Sequence, residues 1–301
     1  MKRLILTLTL MSTAMVLLAQ DVEGGAVALR AGEATMTIDP SRGGKILSLK
    51  YKEQEVISQL RWPESFGSTF WTSPQKEWNW PPVPEFDKQA YKVESRDTNR
   101  LVISSPVSQR LGLSVSKDFS VGMSEGLESD GHGSDAGAFV VTYSIKNEGN
   151  EARSVAPWEI TRVPNGDGLV FFAAADSIWP AGQMTFERED GAAWYHTDEA
   201  PQNRKVNADG RGWLAYCADG LLLVKRFADL QPGQPAPGEA EVQVYVNRGK
   251  TFIELESQGA YTLLQPGESL SWTVCWYLMP VGKDVSRKAL VSYVSSCQGK
   301  P

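Results

Sequence analysis

Short β-rich runs, each closed off by glycine, proline, asparagine, aspartate or serine, follow one another along nearly all of this 301-residue chain. They fall at 35–38, 45–51, 91–94, 100–104, 113–119, 139–145, 153–162, 169–173, 212–217, 221–226, 241–246, 252–256 and 270–278. That punctuation is the pattern of an antiparallel sheet protein. With no helices between the runs, a βαβ architecture is excluded. Thirteen runs also exceed the ~7 strands of a small immunoglobulin-like sandwich. The pattern predicts an all-β protein of two large antiparallel sheets packed face to face. One short helix is expected near the C-terminus, at 285–296, where Asp284 can cap and Val285, Ala289, Leu290, Tyr293 and Val294 share a face. No fixed-period repeat and no linker divides the chain, so residues 20–301 read as one domain.

Residues 1–19 read as a secretory signal peptide. Lys2 and Arg3 supply the positive start, an uncharged apolar run follows to Ala19, and no acidic residue precedes Asp21. The run is shorter than the ~20 apolar residues that span a bilayer, so no membrane association is expected beyond export. A periplasmic or secreted protein is the expectation. Loss of Lys2 and Arg3 leaves 28 basic against 36 acidic residues, a net charge of −8 in place of −6. That balance disfavours nucleic acid as a partner, because phosphate backbones call for a concentrated positive field. A monomer is expected. Cys217, Cys275 and Cys297 form neither a CxxC pair nor a His/Cys cluster, which excludes a zinc site and a thioredoxin-like motif. Cys217 and Cys275 can pair in an oxidising compartment, or remain buried free thiols.

Four of the ten tryptophans lie between residues 62 and 80, among Pro63, Pro74, Pro81, Pro82 and Pro84. Proline fixes φ and removes a backbone donor, so this stretch reads as a shaped loop rather than a continuous strand or helix. Rings held in a rigid loop can stack on a sugar face, with Gln75, Lys76, Glu77 and Asn79 to hydrogen-bond around it. The same rings could instead plug an open end of the sandwich.

Several blocks carry a family resemblance. The segment Pro40-Ser41-Arg42-Gly43-Gly44-Lys45-Ile46-Leu47-Ser48-Leu49 resembles the opening hairpin of galactose-mutarotase-like proteins, where a Gly-Gly pair precedes the strand. The late block Phe252-Ile253-Glu254-Leu255-Glu256-Ser257-Gln258-Gly259, followed by Leu264-Gln265-Pro266-Gly267-Glu268-Ser269, resembles the closing strand and turn of that superfamily. Between them, Phe139 to Asn147 and Pro157-Trp158-Glu159-Ile160 occupy the place of its central strand pair. With Trp71-Thr72-Ser73-Pro74-Gln75 and Trp78-Asn79-Trp80-Pro81-Pro82, the chain resembles a bacterial family related to the aldose epimerases. The resemblance runs from about Glu33 to Pro280. It implies a β-supersandwich with a sugar-sized cleft and no cofactor. In the enzymes of the superfamily a late-strand glutamate removes the anomeric hydroxyl proton and a histidine protonates the ring oxygen.

The resemblance assigns the base to Glu256, with Glu254 beside it on the same strand face. The family's histidine would fall near Trp158, where this chain has Trp158-Glu159, so Glu159 becomes the second candidate carboxylate. Only His132 and His196 exist; His132 lies in a Gly-rich acidic tract and His196 follows Trp194-Tyr195 in a loop-like stretch. The candidate catalytic set is therefore Glu256, Glu159 and His196. The candidate sugar-binding set is Arg42, Trp71, Gln75, Lys76, Trp78, Trp80 and Trp158, with Arg162 and Arg204 as further cationic hands. For each charge, a solvated surface position is the plainer explanation. Glu125, Glu128, Asp130 and Asp135 offer oxygens to calcium but lack the order of a known calcium loop, and no metal is expected. Three functions follow: a glycan-binding protein, a sugar epimerase or mutarotase, and a structural β domain. Glycan binding ranks first, because the aromatic segment is present and the usual acid is not.

Overall fold

The computed structural model describes residues 20–22, 25–61, 65–122, 137–173, 177–199 and 201–297. The expected signal segment 1–19, Trp62 and Pro63, and the tract 123–136 with His132 and its four acidic residues lie outside the described residues.

Two antiparallel sheets carry the fold. The first runs, edge to edge, through Gln20–Val22, Ala26–Ala31, Ala34–Asp39, Lys45–Tyr51, Ser68–Ser73, Arg153–Pro164, Phe252–Gln258, Val242–Val246, Arg204–Ala208 and Ile178–Trp179. Gln54–Glu55 and Thr262–Leu264 attach to its side. The second runs through Glu187–Glu189, Ala192–His196, Leu169–Ala173, Trp213–Ala218, Leu221–Arg226, Ser269–Pro280, Gly137–Asn147, Leu113–Val121, Arg100–Ser104 and Lys92–Arg96. Side chains alternate across each strand, so the inner faces of both sheets interdigitate into one large core. Phe70 of the first sheet stacks on Tyr143 of the second, with ring centroids 4.4 Å apart. The two-sheet expectation is met, and the thirteen runs all fall on strands.

Three local expectations need correction. The tryptophan stretch is not all loop, because Ser68–Ser73 is a fully buried strand inside the first sheet. No proline falls between residues 64 and 73, so the ladder can form there and stops only at Pro74. His196 ends the strand Ala192–His196 rather than lying in a loop. The terminal helix is Arg287–Ser296, capped not by Asp284 but by Ser286, whose hydroxyl accepts from the Ala289 N–H at 3.2 Å. Its Leu290 and Val294 cover a second apolar cluster on the outside of the second sheet, around Cys275, Cys217 and Cys297. All three thiols are free and buried, and burial pushes Cys217 up to about 11 and Cys297 up to about 12.

The Gly43-Gly44 pair has a concrete task. Both residues have positive φ, and a Cβ on Gly43 would lie 2.3 Å from the Asp87 carbonyl oxygen. The glycines let the short helix Pro84–Asp87 close onto the sheet. Lys45 then donates to the Asp87 carboxylate at 2.8 Å, while Lys117 reaches across from the second sheet to the Gly43 and Gly44 carbonyls at 2.6 and 3.1 Å. Burial, with Lys45 nearby, pushes Lys117 down to about 7.

The core also encloses an ion pair. Glu159 and Lys225 are both fully buried and contact each other, and Ser68 and Thr161 hydroxyls donate to the Glu159 carboxylate. Burial drives the Lys225 ammonium below its ordinary value, and Glu159 opposes that. Removing one partner strands the other charge in the core. Lys225→Met should therefore destabilise the protein by about 3–5 kcal/mol in urea unfolding, with partial recovery in the Glu159→Gln/Lys225→Met double variant.

Candidate functional site

The outer face of the first sheet gathers the polar and aromatic residues that alternation keeps out of the core. Cross-strand pairing sets Trp71 beside Trp158, and Ile160 beside Glu256, with Arg162 beside Glu254. The next strands add Tyr245, opposite Glu254, and Lys205, opposite Tyr245. Of these, Trp71, Trp158, Lys205, Tyr245, Glu254 and Glu256 line a hollow of about 370 Å³ together with Gln75, Asn203 and Asn247. A second hollow of about 290 Å³ shares Ser65, Trp71 and Trp80 with the first and is bordered by Asp87 and Arg162. The volume is near the lower end for small-ligand sites.

Three indoles form the wall. Trp71 and Trp158 meet edge to face at 5.4 Å, and Trp80 stands edge-on to Trp71 at 6.1 Å. Trp71 and Trp158 are buried, whereas Trp80 is 62% exposed and overhangs both hollows. Each buried ring is locked by a carboxylate: the Trp71 Nε1–H donates to Asp87 Oδ1 and the Trp158 Nε1–H to Glu256 Oε2, both at 2.9 Å. Thr69 and Lys45 also donate to the Asp87 carboxylate. Burial alone would raise that carboxyl, but the Lys45 charge and the donated hydrogen bonds hold it below the usual range.

The charges in the hollow are paired. Arg162 meets Glu254 at 2.7 Å, and Lys205 meets Glu256 at 2.8 Å, with its ammonium 4.8 Å from the centre of the Trp158 ring. Burial pushes the Glu256 carboxyl up to about 7, against the opposing pull of Lys205 and with a further push from Glu254. Among the described residues no histidine lines either hollow.

Of the residues singled out from the sequence, Glu256, Trp71, Trp158, Trp80 and Gln75 converge here. Trp78 does not line the hollow; it is buried behind Trp71, its Nε1–H held by the Thr72 carbonyl at 2.8 Å. Glu159 is on the wrong side of the sheet. As the strand neighbour of Trp158 it points the opposite way, into the core toward Lys225. His196 belongs to the other sheet and is exposed, 2.8 Å from Arg287. Arg42 is a half-exposed side chain paired with Asp39, and Lys76 is exposed on the turn Gln75–Glu77. Arg204, whose neighbour Lys205 faces the hollow, turns instead to Asp198 and Tyr195.

Sequence reasoning missed Asp87, Lys205, Tyr245, Asn203 and Asn247. Spacing by two puts Asn203 with Lys205, and Tyr245 with Asn247, on one face each, but does not say that those faces adjoin Glu256. Away from the hollow, the carboxylate oxygens of Asp209, Asp229 and Glu241 lie within 4.8 Å of one another. Both Glu241 oxygens already accept backbone N–H groups, from Gly212 at 2.6 Å and Leu230 at 2.9 Å. Among the described residues, no helix is long and apolar enough to cross a membrane.

Solved structures share this architecture. A protein from Escherichia coli provisionally assigned as an aldose 1-epimerase superimposes with a TM-score of 0.60 at 13% identity, over 85% of this chain and 99% of the other. A galactose mutarotase-like protein from Lactobacillus casei gives 0.59 at 10% identity, over 84% and 100%. Another from Clostridium acetobutylicum gives 0.54 at 10% identity, over 85% and 95%. No protein-family model and no curated protein matches the sequence. The chain thus has the galactose mutarotase-like sandwich fold.

A glutamate with a raised folded-state value is stabilising when protonated, fully so below its ordinary 4.5, and loses that contribution as pH rises through about 7. Wild-type stability should therefore fall relative to Glu256→Gln between these two pH values, and the Glu256 carboxyl carbon should titrate near 7 by NMR. A midpoint near 4.5 would contradict the burial described here.

Proposed function

We propose that this chain is a carbohydrate-binding protein that holds a sugar ring in the hollow between Trp71, Trp80, Trp158 and Glu256. The observation that carries the reading is the juxtaposition of indoles with paired, hydrogen-bonding charges. Ring faces suit the C–H faces of a sugar, and Glu254, Glu256, Arg162, Lys205 and Asn247 suit its hydroxyls. Arg162 is 1% exposed, and its Nε has no hydrogen-bond partner among the described residues, which leaves a buried donor beside the hollow. The names of the structural relatives, aldose 1-epimerase and galactose mutarotase-like, support the same ligand class. The charged start and apolar run of residues 1–19 support action in the periplasm or outside the cell.

A second reading, ring-opening isomerisation, is favoured by one observation. A carboxyl pushed up to about 7 has the proton affinity a general base uses at neutral pH. On this reading Glu256 takes the anomeric hydroxyl proton as the bond from C1 to the ring oxygen breaks, the Lys205 ammonium beside it supplies a proton to that oxygen, and both transfers reverse on ring closure. Glu159 has no part in it, being on the inner face.

One set of titrations tests both readings. Calorimetry with neutral hexoses, pentoses and their oligomers should give saturable binding. Trp80→Ala should weaken that binding about five- to tenfold without lowering the melting temperature, because the ring is largely exposed. Absence of binding across the panel would remove the proposal. In the same samples, NMR exchange between anomers that is accelerated by wild type and abolished in Glu256→Gln would establish catalysis; unaltered exchange leaves a binding protein.

A further inference from the structure

The outer face of the first sheet does not end at the hollow. The register gives a continuous row of side chains on that face: Thr69, Ile160, Glu256, Gln243, Asn207 and Trp179, one from each of six adjacent strands. Directly paired residues of antiparallel neighbours point to the same side, so Trp179 shares a surface with Glu256. Three strand spacings separate them, about 14 Å along the row, which is longer than a single sugar. Trp179, 40% exposed on the edge strand, and Trp80 are the exposed tryptophans among the described residues.

Beside Trp179 lies a third hollow, of about 560 Å³, walled by the proline-rich loop around Pro232, Pro235 and Pro237. It shares no lining residue with the first hollow, but the two are linked by a wall contact at Glu239. That carboxylate borders the third hollow and accepts the Gln75 N–H at 2.7 Å, while Gln75 borders the first. Between the two aromatic platforms the face presents the half-buried Lys205 and Asn207; Gln243 is only 2% exposed, its amide turned to the Ala240 carbonyl at 3.4 Å. Asp209 and Glu239 make the far hollow acidic, while burial pushes the Glu241 carboxyl up to about 7.

We propose that the ligand is a neutral oligosaccharide, laid across the strands from the Trp71–Trp80 hollow to a second aromatic subsite on Trp179. Rings at both ends with the Asn207 amide between them match a chain of linked sugars, each offering apolar faces and hydroxyl edges. The acidic far hollow disfavours an anionic glycan by like-charge repulsion. The inference rests on the carbohydrate-binding reading and adds chain length and charge to it.

The test is calorimetry with mono-, di-, tetra- and hexasaccharides of neutral glucans, galactans, mannans and xylans, and with matched uronic acid oligomers. Affinity for one neutral series should rise with chain length by at least about tenfold, and Trp179→Ala should remove about five- to tenfold of that gain while leaving monosaccharide binding unchanged. Trp179→Phe, which keeps a ring, should retain most of it. Circular dichroism and the unchanged monosaccharide affinity report that the variant is folded. Affinity independent of chain length, a Trp179→Ala variant indistinguishable from wild type for all lengths, or preference for the uronic acid series would overturn the extended site while leaving sugar binding in place. Failure of every saccharide to bind would instead sink the underlying reading.

Discussion

The pairing of Arg153–Pro164 with Phe252–Gln258 determines what this molecule can do. In that ladder Ile160 stands opposite Glu256, and everything else follows from a period of two. Trp158, Arg162, Glu254 and Glu256 emerge on the outer face; Glu159, Thr161, Leu255 and Ser257 enter the core. A slip of one residue would bury Glu256 against the second sheet and turn Glu159 outward. The Glu159–Lys225 pair, fixed by Ser68 and Thr161, opposes such a slip because turning Glu159 outward would leave the Lys225 charge in the core without its counter-ion.

The aromatic wall depends on the same sheet and on one distant anchor. Trp71 comes from the strand that pairs on the other side of Arg153–Pro164, and its indole is steered by Asp87. Asp87 is in turn held by Lys45, Thr69 and the close approach that Gly43 permits. The Gly-Gly-Lys motif near the start of the chain therefore acts on the site indirectly, by fixing the carboxylate that fixes the ring. Arg42, next to that motif, stays at the surface and does not share in it.

Much of the architecture was legible because strand punctuation is a local property. The all-β class, the two large sheets and the terminal helix all followed from runs of β-rich residues and their breakers. Glu256 and the wall tryptophans were legible from resemblance and composition. Glu159 was misjudged, since attention to its place beside Trp158 overrode the alternation that sends adjacent strand residues to opposite faces. Lys205, Tyr245 and Asp87 were not legible for a different reason. Their importance arises from which strands become neighbours, and nothing in the local pattern specifies that Val242–Val246 and Arg204–Ala208 lie beside Phe252–Gln258. The proline-rich surroundings concealed Ser68–Ser73 in the same way, because the breakers lie just outside its ends.

The central claim is that one outer-face hollow, framed by Trp71, Trp80, Trp158 and Glu256, receives a sugar ring. The most direct measurement is a crystal structure of the protein soaked with a mixture of neutral sugars. The account predicts a ring seated in that hollow, stacked on Trp80, with a hydroxyl in hydrogen-bond contact with Glu256. Sugar density bound only elsewhere on the molecule, with this hollow filled by water alone, would contradict it.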